Sequence, residues 1–203
     1  MKKILFCMAL AICFWPAVST AGASVVVDAT ALENVQKYIQ IKDAAQLDKI
    51  LKQDQLDRQN TSVLLFSMIT HQTPPALMTV AVQNGADAED DFILPGKGTV
   101  NLLFVALQQY AKPNVMQFLL GQKANPNARM AGEEVPALTV LMVAAATTPY
   151  PEIIDMLLAA GADVNATYNE RTAADYIDIN PYLQNTEILT HLKKITQASG
   201  PIK

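Results

Sequence analysis

Between residues 61 and 167 the apolar positions follow two superimposed periods. Within short blocks they fall at helical spacing. In Glu152-Ile-Ile-Asp-Met-Leu-Leu-Ala-Ala-Gly-Ala-Asp-Val-Asn-Ala166, the residues Ile153, Ile154, Met156, Leu157 and Leu158 form a broad apolar face. Such a face is stable only against a neighbouring element. The blocks themselves return every 38 residues. Gly85-Ala86-Asp87 comes back as Lys123-Ala124-Asn125 and again as Gly161-Ala162-Asp163. Leu65, Leu103 and Leu141 share a register, as do Phe66, Phe104 and Met142, and Pro75, Pro113 and Pro151. Each unit reads as a short helix, a Pro-containing turn, a second helix and a Gly/Ala/Asp exit, where Gly161 supplies a residue free to take positive φ. A fixed period of this size predicts a stacked array of helix pairs. It also favours binding over catalysis, because stacked repeats build extended surfaces.

The last full unit resembles an ankyrin repeat, whose second helix ends in a run like LLxxGADVNA. The first-helix motif, T-P-L-H-x-A, maps to Thr139-Val-Leu-Met-Val-Ala144, Asn101-Leu-Leu-Phe-Val-Ala106 and Val63-Leu-Leu-Phe-Ser-Met68. The usual Pro and His are missing, so the hydrogen bonds of that His must be replaced or lost. Arg171-Thr-Ala-Ala-Asp-Tyr-Ile177 resembles a further, partial unit. The resemblance implies an all-α fold: an ankyrin-repeat solenoid of helix-turn-helix units, with long connecting fingers. It spans 31–196, with an N-terminal cap at 31–56, full units at 61–91, 99–129 and 137–167, and a C-terminal cap at 171–196. The N-terminal cap reads as helices over Leu32–Ile41 and Ala44–Gln53. Val25-Val-Val27 is a β-prone leader within 24–30, and 197–203 is a frayed tail.

A typical ankyrin unit has about 33 residues. The additional length here falls between one unit's exit and the next first helix, in two fingers at about 88–98 and 126–136. It is absent after Gly161, which lies only 11 residues before Thr172. Insertions of this kind map to loops on one face, often the binding face. The first finger carries Glu89, Asp90 and Asp91 beside Phe92, Ile93 and Leu94; the second carries Glu133 and Glu134 between Met130 and Val135. One reading is an apolar anchor, Phe92 and Met130, inside an acidic rim that steers a partner. The other is that the apolar residues fold back and seal the fingers. In ankyrin repeats two residues after the first-helix motif face the concave side, which here implies Thr70-His71, Gln108-Gln109 and Ala146-Thr147 as groove positions. Small and polar residues suit a contact surface and a solvated face equally.

Ahead of the repeats, Lys2-Lys3, the apolar run Ile4 to Trp15 and Ala21-Gly22-Ala23 have the layout of an export signal cleaved near Ala23/Ser24. The run is too short for a membrane span, so no stable membrane anchoring is expected. The short Lys-led form implies a bacterial periplasm. Cleavage removes 23 of the 203 residues, and the 15 basic residues fall to 13 against 19 acidic, moving the net charge from −4 to −6. That balance argues against nucleic acid as a partner. Cys7 and Cys13 both lie in the leader, which leaves the mature chain without disulfides, thiolate metal sites or cysteine nucleophiles.

Catalytic and cofactor motifs do not assemble. His71 and His191 lie about three units apart in the stack, and no Ser occupies a G-x-S-x-G elbow. Pro95-Gly-Lys-Gly-Thr99 lacks phosphate-loop spacing, and Asp87-Ala-Glu-Asp-Asp91 lacks the Gly and distal Glu of a calcium loop. The expectation is therefore a non-enzymatic periplasmic module with no cofactor or metal that binds another protein, such as a toxin with a basic patch. Exported ankyrin proteins of bacteria include immunity proteins that neutralise a secreted toxin, and others that accompany catalases in oxidative-stress defence. A hydrolase with two carboxylates is the alternative of a different class, although no pair is singled out.

Overall fold

A computed structural model describes residues 24–95, 98–130, 137–184 and 186–198. The expected export signal, with both cysteines, lies outside the described residues, as do Glu133, Glu134, Val135 and the last five residues of the tail.

Helix starts follow a simple division. The first helix of each unit is capped by a side chain. Asp28 accepts from Ala31 N at the head of α1 (Ala29–Ile39), and Asp57 does the same from Asn60 N for α3 (Arg58–Thr70). Asn101 caps α5 (Leu102–Gln108), Thr139 caps α7 (Val140–Thr147), and Thr172 with Asp175 forms a capping box on α9 (Ala173–Ile177). Second helices α4 (Pro75–Gln83), α6 (Pro113–Gly121) and α8 (Pro151–Ala159) have no side-chain cap. They open on proline, which has no N–H to satisfy there. The remaining second helices are α2 (Ala44–Asp54), capped by Asp43, and α10 (Glu187–Ala198). Helix α1 begins three residues before the expected Leu32 because Asp28 supplies the cap.

The 38-residue triplets are helix exits. Gly85, Lys123 and Gly161 take positive φ of 105°, 64° and 87°. The following Ala86, Ala124 and Ala162 then donate back to Ala81, Leu119 and Leu157 carbonyls at 3.0, 3.1 and 2.9 Å. Third in the triplet, Asp87, Asn125 and Asp163 each accept from the amide two residues on, at 2.9 Å.

The helices form two rows. Helices α1, α3, α5, α7 and α9 pack side by side, while α2, α4, α6 and α8 line up behind them and α10 closes the array against α9. Inner helices are buried around their whole circumference: Thr61 to Ile69, Leu102 to Leu107 and Val140 to Ala145 are all buried. The motif position normally held by His is filled by Phe66, Phe104 and Met142, all buried. Apolar packing there replaces the hydrogen bonds of an imidazole.

The β-prone leader joins this helical stack as a strand. β1 (Ser24–Val26) pairs in parallel with β2 (Asp91–Leu94) of the first finger, which returns antiparallel as β3 (Gly98–Val100). No finger separates α2 from α3; only Gln55, Leu56 and Asp57 lie between them. Beside β2 the leader takes the place such a finger would hold. Val25, Val27, Phe92 and Val100 turn inward and are buried.

The two ends are fastened differently. In the first unit the Asp54 carboxylate accepts from Lys37 and from the Tyr38 hydroxyl, both at 2.7 Å, joining α2 to α1. At the other end Asn180 is fully buried and its amide donates to the Ala145 and Thr148 carbonyls, both at 2.9 Å. These acceptors are available because Pro149 holds Thr148 extended (φ −69°, ψ 138°). In the two preceding full units the turn passes instead through left-handed Gln72 and Tyr110.

Leu141 is fully buried in the central row. Leu141→Ala is expected to cost about 2–5 kcal/mol and to loosen more than one unit, because each depends on its neighbours. Urea melts followed by amide exchange check this; a melt that overlays wild type contradicts the stacking.

Candidate functional site

The first finger is rooted by a compact polar cluster. Arg58, at the start of α3, donates through Nη2 to Asp90 Oδ1 at 2.5 Å and to Asp87 Oδ2 at 3.1 Å. Ser62, one turn along, donates to Asp90 Oδ2 at 2.7 Å and accepts from Asp87 N at 3.2 Å. Asp90 is 1 % exposed. Burial raises its carboxyl above the ordinary value, while Ser62 and Arg58 pull it back and Asp87 adds to the rise. The Arg58 guanidinium is raised by Asp87 and then Asp90. Asp90 therefore does not steer a partner: both of its oxygens are used in holding the finger to α3.

Phe92 requires a second correction. Its side chain has no exposed area, and its ring packs 5.4 Å from Phe66, tilted by 34°. The reason is the period of the strand: Phe92 shares the inward face with the residues that pair through Val25 and Val100. It cannot anchor a partner. Leu94 and Met130 also pack against the core and are half-buried. Among the described residues Phe92, Leu94 and Met130 of the fingers have folded back onto the core. Glu89 remains exposed, and Asp91 is half-buried in β2. Glu133 and Glu134 are outside the described residues.

The expected groove positions stand at the C-terminal ends of the inner helices. Thr70 donates to the Ser67 carbonyl at 2.8 Å, and His71 Nδ1 lies 2.8 Å from that same oxygen. Gln108 is exposed, whereas Gln109 is half-buried and its carbonyl accepts from Gln72 Nε2 at 3.1 Å. Thr147 donates to Val143 O at 2.8 Å. Most of these polar groups are thus engaged within their own turn or the next unit.

The turns from first helix to second lie at this same end, across the array from the fingers. Four large apolar or aromatic side chains are exposed among the described residues: Val26, Tyr110, Ile179 and Tyr182. Three of them lie on this edge. Nearby, Pro151, Asp155, Thr186, Glu187, Ile188 and His191 line an open cleft of about 430 Å³ between α8 and α10. The sequence offered one signal for this edge, the Pro149-Tyr150 and Pro181-Tyr182 pairs at two turns. The meeting of Asp155 with Glu187 and His191 had none, since it depends on how the terminal helix docks. Among the described residues no group of three or more acidic, His or Cys side chains is arranged to hold a metal ion. No described helix is long and apolar enough to cross a membrane.

Residues 138–169 match the family model of the ankyrin repeat. That span runs from just before α7 to just past the exit of α8. The match covers one unit of the array, the pair α7 and α8, and the helical solenoid around it is consistent with further units of that kind. Ankyrin repeats generally serve as non-enzymatic modules that bind other proteins. No curated protein matches the chain.

Phe92→Ala is expected to destabilise the fold by about 3–5 kcal/mol and to lower the melting temperature. An unchanged melt would return Phe92 to the surface. A second variant tests the buried carboxyl. Because the folded state raises its pKa above the ordinary 3.8, its contribution is fully present below that value and lost as pH rises through the folded one. The stability of wild type minus that of Asp90→Asn should therefore fall as pH rises through this window. Urea melts across pH check it, and a difference that does not vary with pH contradicts it.

Proposed function

We propose that this chain is an exported, non-enzymatic binding module that acts by occupying the surface of another protein, as an inhibitor of the immunity type. The observation that carries the binding reading is the ankyrin-repeat match at 138–169, set within a row of helix pairs that share one continuous core. Rigid stacked units present side chains at fixed spacing, so little conformational entropy is lost when a partner docks. The first finger fits the same reading. Its buried acid and aromatic ring hold the loop to the body of the protein, which makes it a stiff part of the surface. Export is supported by Lys2-Lys3, the apolar run and Ala21-Gly22-Ala23. The choice of an inhibitor rests on likeness to exported bacterial ankyrin proteins and not on particular residues here.

One preparation tests both halves of the reading. Tagged at the C-terminus and recovered from an osmotic-shock fraction, the protein should have an intact mass beginning at Ser24. It should retain one partner at equal stoichiometry and suppress that partner's activity on titration. An unprocessed mass sinks the export claim. Failure to retain any protein sinks the binding claim, and recovery of a catalase whose activity is unchanged replaces inhibition with the adaptor role.

A further inference from the structure

We infer that the partner docks on the turn edge at the C-terminal end of the array, and that it presents a segment mixing cationic and apolar side chains. This rests on the binding reading above and names its face and chemistry. Ile179 and Tyr182 are 46 % and 61 % exposed, although the backbone carrying them is firmly held. Between them sits Asn180, fully buried, whose amide donates to Ala145 and Thr148 and whose Oδ1 accepts from Tyr182 N at 2.9 Å. Leu183 beside them is buried, and its carbonyl accepts from Thr186 N. Two large side chains are thus held out into solvent on a pinned turn. An exposed aromatic on a rigid support loses little entropy on contact, which is why Tyr is enriched where interfaces bind most strongly.

The cleft next to this turn sets the partner's charge. Asn180 grips Thr148, three residues before Pro151 of one cleft wall, and Thr186 belongs to the other wall. Asp155 and Glu187 face the cleft, with His191 the remaining titratable group of its lining. Lys193, the nearest base along α10, is held by Asp178 at 3.0 Å, and Lys194 is not part of the lining. The imbalance extends beyond the cleft. From residue 137 to 192 the chain has seven acidic residues against one basic residue, Arg171. An Arg or Lys in the cleft would meet two carboxylates, and its apolar neighbours would cover Tyr182 and Ile179. A second copy of the chain is a poorer match, since this end is acidic and the chain as a whole has a net charge of −4.

The probe is a short synthetic peptide alternating Arg with Leu, with a counterpart carrying Glu in place of Arg. Each is titrated into the full chain and followed by amide chemical shifts and by fluorescence anisotropy. The Arg peptide is expected to saturate, with shifts centred on residues 149–155 and 179–192, while the Glu peptide does not bind. Asp155→Asn with Glu187→Gln, and separately Tyr182→Ala, should each weaken binding about tenfold at an unchanged melting temperature. Neutralising exposed acids elsewhere, Glu33→Gln with Glu89→Gln, should leave it within about twofold. The inference is overturned by shifts centred on the fingers, by equal losses from both acid pairs, or by no saturable binding. It is also overturned if sedimentation velocity shows a dimer that Tyr182→Ala dissolves. A partner that is captured from the periplasm and holds Tyr182→Ala as tightly as wild type would overturn this face while leaving the binding function intact.

Discussion

An inner helix that is buried around its entire circumference cannot be stable with one neighbour. Helices α3, α5 and α7 each need the helix before, the helix after and the outer row behind, and the rest of the structure supplies those covers. α1 and α9 are the terminal members of the row. Each is narrower in its apolar content than the three central helices, and each end is reinforced by polar bonds. Lys37, Tyr38 and Asp54 bind the first pair together, and Asn180 ties the last segment to α7. Stability in such an array is a sum of neighbour contacts, so polar reinforcement has most effect where a neighbour is missing.

Much of this was legible in the order of residues. The 38-residue return of Leu141 and its equivalents fixed the unit, the prolines marked the second helices, and Gly85 and Gly161 marked the exits. Lys123 belongs to the same register even though a lysine pays a steric penalty there, and only the period identified it. The leader was harder to read. Val25-Val-Val27 looked β-prone but had no visible partner, because pairing with β2 depends on a finger that is missing between α2 and α3. An absence of that kind is recognisable only once the fingers have been counted in space.

The candidate site was less legible for a related reason. Acidic and apolar residues alternate in the first finger, and alternation alone does not say which of the two faces is turned to the core. Phe66 decides it, since an aromatic ring in place of the motif's His gives Phe92 something to pack against. In the sequence Asp90 has the character of a surface charge, because carboxylates are seldom buried without a partner; its partners, Arg58 and Ser62, lie about thirty positions earlier. Tyr182 and Ile179 lie in a segment where the repeat pattern has already broken down, so no register was available to assign them a face.

The bond from Asn180 to the turn after α7 limits how this protein can grow. Repeat proteins commonly lengthen by duplicating a unit, and a copy is accepted when both of its faces match what they meet. At the junction bridged by Gln72, the amide reaches the backbone carbonyl of Gln109, a contact that almost any following unit offers. At the last junction the buried amide needs two carbonyls freed by Thr148-Pro149. A unit inserted after residue 167 would leave that amide without acceptors unless it brought the same proline-broken turn. Lineages of this chain should therefore gain and lose units in the middle of the array while keeping the final two together as an inherited block.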